Sequence, residues 1–147
     1  MAMTAADPLF VDTNVLVYAN VLEAPLHERA LGAIYAAQQA GRTLWISRQV
    51  IREYLVVMTR PQAFENLPRT TVLEQVERFV AHFQVADETP AVTTHLLALL
   101  ETYAIGGKQV HDANLVASMQ AHGIRCLLTH NTEDFQRFAD MIILEGI

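Results

Sequence analysis

Residues 9–18 read LFVDTNVLVY. Three apolar residues run into an acid, Asp12, and after Thr13 and Asn14 the chain resumes with apolar residues that suit a helix. A short apolar strand that stops on a carboxylate and passes directly into a helix is the building unit of an α/β sheet, whose strand carboxyl ends form the ligand crevice. Asp12 also suits a helix N-cap, because a carboxylate accepts from the exposed N–H groups of a first turn. On the residues alone, ligand and cap stand side by side.

Outward from this stretch, short apolar runs alternate with long amphipathic segments, and neither internal repeats nor low-complexity tracts interrupt them. The strands expected are PLFVD (8–12), LWIS (44–47), FQVA (83–86), RCLLT (125–129) and MIILE (141–145). Such mostly apolar runs are what buried parallel strands require. Helices are expected over 13–21, 26–40, 48–60, 69–82, 90–104, 108–122 and 132–139. Gly41 after AIYAAQQA and Gly123 after SMQAH read as helix C-terminal caps, Pro61 and Pro68 bracket a loop, and Gly106 and Gly107 mark a hinge into the next helix. The pattern predicts an α/β fold in a single domain over 1–147, with no internal boundary.

Composition narrows the function. The 147 residues are 52% hydrophobic and 18% charged, an apolar balance that suggests surface kept for a partner. With 16 acids against 10 bases the net charge is -6, so nucleic acid would have to be held by local cations or by metal. The single cysteine, Cys126, lies inside an apolar run and reads as a core residue of a reducing compartment. No apolar stretch reaches the roughly 20 residues of a membrane span, and the first residues lack the pattern of a secretory leader, so a cytoplasmic protein is expected. No P-loop and no GxSxG elbow is present. The histidines are scattered singly, without the spacing of a zinc site, and His111 beside Asp112 also reads as structural.

Acids at other positions extend the signal from Asp12. In SRQVIREYLVVMTR (47–60), Glu53 shares a helical face with Val50, Val56 and Val57. An acid there needs a compensating positive charge, either a bound cation or an ion pair with the nearby Arg48 or Arg52. In GGKQVHDANLVASMQ (106–120), Asp112 shares a stripe with Leu115, Val116 and Met119, although an acid in a first helical turn is also favoured by the helix dipole. After Thr129, at the end of the fourth strand, come Asn131, Glu133 and Asp134, which also suit an ordinary helix start. Several carboxylates converging on one crevice would be driven toward protonation unless a divalent cation stood among them, and Mg²⁺ or Mn²⁺ suits an all-oxygen ligand set.

Four strings in order, FVDTNVLVY, SRQVIREY, GGKQVHDANLVA and LLTHNTEDF, resemble the ordered motifs of VapC-type PIN domains across nearly the whole chain. The resemblance implies a three-layer fold with a five-stranded parallel sheet in the order 3-2-1-4-5. It places the family's first three acids on Asp12, Glu53 and Asp112. The family's fourth acid falls on Asn131, a departure in which either Asn131 serves through its carbonyl or a water or Asp134 supplies the charge, and which puts a second metal in doubt. It further implies a homodimer and a VapB-type antitoxin that neutralises the toxin.

The activity implied is hydrolysis of RNA phosphodiester bonds by water that a divalent ion activates. On this reading Asp12 and Asp112 hold the ion and Glu53 joins them or orients the water. Thr13 and Asn14 steady Asp12, and Thr129 and Asn131 stand behind the site. Arg48, Arg52 and Lys108, which flank these acids in sequence, are candidate RNA contacts. The helices HERALGAIYAAQQAG (27–41) and VIREYLVVM (50–58) are candidates for a groove that receives an antitoxin helix. A rival reading is a catalytically weakened PIN domain that binds RNA or protein, given Asn131. A phosphate-accepting receiver domain would need an Asp ending the third strand and a Lys ending the fifth. Asp87 follows FQVA, but no lysine lies near MIILE.

Overall fold

The computed structural model describes residues 7–61 and 67–147. Five strands, β1 (Leu9–Val11), β2 (Leu44–Ser47), β3 (Gln84–Ala86), β4 (Cys126–Thr129) and β5 (Ile143–Gly146), form one parallel sheet in the order β3-β2-β1-β4-β5. Seven α-helices flank it among the described residues: α1 (Thr13–Asn20), α2 (His27–Gln39), α3 (Arg48–Met58), α4 (Arg69–His82), α5 (Pro90–Thr102), α6 (Gln109–Ala121) and α7 (Thr132–Phe135). The expected α/β class and strand order are both found. Residues 62–66, in the loop expected between Pro61 and Pro68, lie outside the described residues.

Burial follows position in the sheet. Every residue of β1 and β4 is buried, whereas the edge strands β3 and β5 are largely half-exposed. Phe10, at the centre of β1, has no exposed surface and pairs with Trp45 on one side and Leu127 on the other. Because β2 and β4 leave β1 in opposite directions, β1 sits at the reversal of strand order, and the crevice opens beyond its carboxyl end.

Observed boundaries differ from expectation where side chains claim the backbone. β1 stops at Val11 because Asp12 turns out to cap α1. β5 begins at Ile143 rather than 141, since the N–H groups of Met141 and Ile142 both donate to the Phe138 carbonyl, at 2.8 and 3.0 Å. The helix expected over 132–139 breaks after Phe135 into a short 3-10 turn over Gln136–Phe138.

The glycine caps are as expected. Gly123 has φ 70°, donates to the Gln120 carbonyl at 3.2 Å, and lets Ile124 donate back to Met119 at 2.9 Å, which closes α6 as a Schellman motif. Gly41 closes α2 in the same way.

α3, which carries Glu53, is anchored from behind. Tyr54 is fully buried, meets Phe79 of α4 edge to face at 4.9 Å, and donates its hydroxyl to Gln75 Oε1 at 2.6 Å. An aromatic with a satisfied hydroxyl both buries apolar area and fixes orientation. Cys126 is buried, as expected of a core residue. None of the described helices is long and apolar enough to cross a membrane.

Truncating Phe10 to Ala should remove about 3–5 kcal/mol of stability; equilibrium unfolding in urea measures this, and a loss under about 1 kcal/mol would contradict the central place given to β1.

Candidate active site at the carboxyl edge of the sheet

Asp12 is placed by the β1–β4 ladder. Its N–H donates to the Leu128 carbonyl at 3.0 Å as the chain leaves the sheet. Its carboxylate then accepts from Thr13 N at 2.7 Å through Oδ1, and from Thr129 Oγ1 at 2.8 Å and Asn14 Nδ2 at 3.2 Å through Oδ2. Asn14 is steadied in turn by the His130 N–H, which donates to its Oδ1 at 3.1 Å, and Thr129 Oγ1 accepts from Asn131 N at 3.0 Å. Asp12 is therefore the expected N-cap of α1, and it also lines the cleft while only 7% exposed. Cap and candidate ligand are the same group.

Glu53 reaches the cleft from α3. Thr13 Oγ1 donates to its Oε2 at 3.2 Å and Gln49 Nε2 to its Oε1 at 2.7 Å. The valine stripe expected around it divides: Val50 is buried, but Val56 is 56% exposed, and both Val56 and Val57 line the cleft wall. Glu53 is thus half-buried on the rim of the core rather than within it. Neither nearby arginine neutralises it through an ion pair. Arg48 pairs with Asp87 at 3.1 Å and Arg52 with Glu88 at 2.9 Å, both on the surface.

Asp112 lies in the first turn of α6, half-buried beside Ala113, Leu115, Val116 and Met119, which are buried. It lines the same cleft, a cavity of about 530 Å³ walled by α1, α3 and α6, with Asn131 at its border. Asp134 is exposed and does not line the cavity, although its charge is close enough to push the Asp112 pKa upward. Arg52 borders the cleft, whereas Arg48 and Lys108 do not. No residue of α2 lines it either. α1 packs against both α2 and α3, and the cleft opens between α1 and α3.

The sequence reading passed over two amides and a base. Gln49, nearly buried, and Asn114 join α3 to α6 by hydrogen bonds, and Arg60 lines the cleft on the last exposed turn beyond α3. Gln49 was visible as a polar residue one helical turn before Glu53, a spacing at which side chains meet. Arg60 carried no such signal.

Burial is the largest influence on the Asp12 carboxyl and raises its pKa from 3.8 to about 6, with Glu53 and Asp112 adding repulsion against the donated hydrogen bonds. Burial likewise raises Asp112 to about 6, followed by the charges of Asp134 and Glu53. The donors that reach Asp12 and Glu53 are neutral amides, hydroxyls and a backbone N–H. A buried carboxyl such as Asp12, raised by burial and by neighbouring acids and supported only by neutral donors, suits a hard divalent cation. Among the described residues no three His, Cys, Asp or Glu side chains stand close enough to enclose an ion by themselves. An ion that retains several of its waters, as Mg²⁺ does, meets that limit.

A family model described as PIN domain matches residues 9–141. The chain belongs to the PIN-domain family. Among curated proteins it is similar to Ribonuclease VapC48 of Mycobacterium tuberculosis, 27% identical over 130 residues that cover 86% of this chain and 89% of that protein. Ribonuclease VapC24 of the same organism is 25% identical over 134 residues, covering 88% and 90%. Among solved structures, VapBC2 from Rickettsia felis, bound to a promoter DNA fragment, matches with a TM-score of 0.67 at 20% identity, over 94% of this chain and 97% of that one. VapC20 of Mycobacterium tuberculosis, a toxin that cleaves the sarcin–ricin loop, matches with a TM-score of 0.61 at 16% identity, over 81% and 86%. These structural likenesses establish a shared fold, and in this PIN domain the acids gather where β1 and β4 end.

The pKa of Asp12 in the folded PIN domain lies above its unfolded value of 3.8, so folding favours the protonated acid. Stability withheld at neutral pH should therefore return as pH falls through about 6 toward 4. In metal-free protein the melting temperature should rise between pH 7 and 5 more steeply in the parent than in Asp12→Asn; equal slopes would contradict the burial cost assigned to this carboxyl.

Proposed function

We propose that this chain, as one PIN domain over 1–147, is the ribonuclease toxin of a toxin–antitoxin pair, cutting RNA phosphodiester bonds with a bound Mg²⁺ or Mn²⁺. The observation that carries the reading is the convergence of Asp12, Glu53 and Asp112, from three separate elements, on one cleft. The ribonuclease names of the relatives and the toxin–antitoxin assemblies among the structural neighbours agree with it.

Asp12 and Asp112 would hold the ion, and Glu53 would join them or orient the attacking water. When bound, the ion lowers the pKa of a water and offsets the charge that builds on the phosphate oxygens. Thr129, Thr13 and Asn14 hold the Asp12 carboxylate against rotation through the hydrogen bonds they donate. Asn131 contributes a neutral amide at the cleft border, and Asp134 adds negative charge from outside it. The net charge of -6 disfavours RNA at long range, so Arg52 and Arg60 on the cleft are better placed for its phosphates than Arg48 or Lys108.

The partners follow from the same reading: an RNA substrate, a VapB-type antitoxin that covers the cleft between α1 and α3, and a second copy of the chain in a homodimer, all in the cytoplasm. Exposed Val56 on the cleft wall gives an antitoxin an apolar foothold. One observation favours a second reading. With Asn131 at the border and, among the described residues, no acidic trio able to enclose an ion unaided, a domain that binds RNA or protein without cutting is the alternative.

Purified protein free of antitoxin should cut cellular RNA into discrete fragments in Mg²⁺ or Mn²⁺, and EDTA should stop it. Asp12→Asn and Asp112→Asn should fold and lose roughly a hundredfold or more of the rate, at or beyond the range typical when a metal site's supporting residues change. Metal binding without cleavage would move the assignment to the binding module. Co-expression with the cognate antitoxin should suppress cleavage, and an unchanged rate in a verified complex would remove the antitoxin from the account.

A further inference from the structure

Gln49 is 5% exposed. Burying a primary amide is costly unless its hydrogens and its oxygen find partners. Here its Nε2 donates to Glu53 Oε1 at 2.7 Å and to the His111 carbonyl at 2.8 Å, and its Oε1 accepts from Asn114 Nδ2 at 2.7 Å. Both amide hydrogens are therefore used. His111 and Asn114 lie on either side of Asp112 in α6. One side chain thus touches the carboxylate of one candidate ligand and the backbone that carries another.

The amide can sit only one way round. Turned over, its oxygen would face the Glu53 carboxylate and the His111 carbonyl, both acceptors, while its NH₂ would face the Asn114 NH₂. The His111 carbonyl, a backbone acceptor that cannot turn, therefore sets the orientation that lets Gln49 donate to Glu53, and Asn114 completes it from the other end. The helices concerned pack chiefly on other neighbours, α3 on α1 and α6 on α5, so packing alone does not set the separation of Glu53 from Asp112. The remaining oxygen of Glu53 is steadied by Thr13, next to Asp12. A relay of side chains runs from Asn114 through Gln49 and Glu53 to Thr13, spanning α6, α3 and α1.

We infer that Gln49, held between the His111 carbonyl and Asn114, is a positioning residue for the divalent ion, fixing the Glu53 carboxylate relative to Asp112. This inference rests on the metal-dependent reading above. Gln49, 5% exposed at the cleft wall, acts through the Glu53 carboxylate rather than as a ligand of the ion. Its contribution is to remove the freedom of a long, half-buried side chain before an ion arrives, as the outer partners of metal ligands do.

The test is calorimetric titration of Mn²⁺ into the purified full chain, for the parent, Gln49→Met, Asn114→Leu and the double variant, with melting temperatures and RNA cleavage recorded on the same samples. Methionine keeps the length and bulk of glutamine but cannot donate. Gln49→Met should weaken Mn²⁺ binding by about 10-fold or more. It should lower kcat at saturating metal while leaving the KM for RNA nearly unchanged. Asn114→Leu should act in the same direction by less, and the double variant should bind no more weakly than Gln49→Met alone. Lower melting temperatures with unchanged Mn²⁺ affinity would reduce the amides to a tie between α3 and α6 and overturn the inference. A double variant weaker than Gln49→Met would refute the relay from Asn114. If Gln49→Met does not fold, Asn114→Leu decides alone. A parent that binds no Mn²⁺ overturns the metal reading itself, whereas a parent that binds it as tightly as both single variants overturns this inference only.

Discussion

The burial of one carboxylate governs the rest of the site. Asp12 stands at the end of the central strand, nearly out of contact with water, where desolvation favours its neutral form. Proteins tolerate such a group when hydrogen bonds or a counter-charge support its ionised state. Here the hydrogen bonds are supplied by the turn that follows it and by the end of the neighbouring strand, and they only partly offset the cost. The unmet portion of that cost leaves the Asp12 carboxyl with a raised pKa of about 6 where it lines the cleft.

Sheet register serves as the ruler for this arrangement. Because Val11 lies opposite Leu128, the next residues on the two strands, Asp12 and Thr129, come side by side as the chains leave the sheet. A slip of one residue would send every side chain of β1 to the opposite face and part the carboxylate from its hydroxyl donor. With no exposed residue in β1 or β4, such a slip is costly. Core packing and chemistry are therefore secured by the same pairing, and the caps and the Tyr54 anchor extend that precision outward to the helices.

Much of this was legible from residue order. Strand–acid–helix at 9–18 located the crevice, the glycine caps closed helices where expected, and Asp112 faced the apolar stripe that its spacing indicated. Glu53 reached the cleft, but its valine neighbours divided between core and wall, because a helix on the rim buries only part of the face that periodicity marks. The arginines were harder to read. Arg48 and Arg52 paired with Asp87 and Glu88, acids 39 and 36 residues away that no local pattern links to them. Gln49 and Asn114 escaped notice for a related reason: a buried amide is explained only by partners on another helix, and those contacts depend on tertiary packing.

The separation along the chain of Asp12 from Thr129 has a consequence for synthesis. The hydroxyl that steadies the carboxylate is 117 residues away, on the fourth of the five strands in chain order. An emerging chain exposes Asp12 early but cannot assemble the acids into a cleft until β4 has paired with β1, and parallel pairing over such distances is slow. The cleft of this PIN domain is therefore a late product of folding: its acids stay dispersed along the chain until the strand that carries Thr129 has joined the sheet.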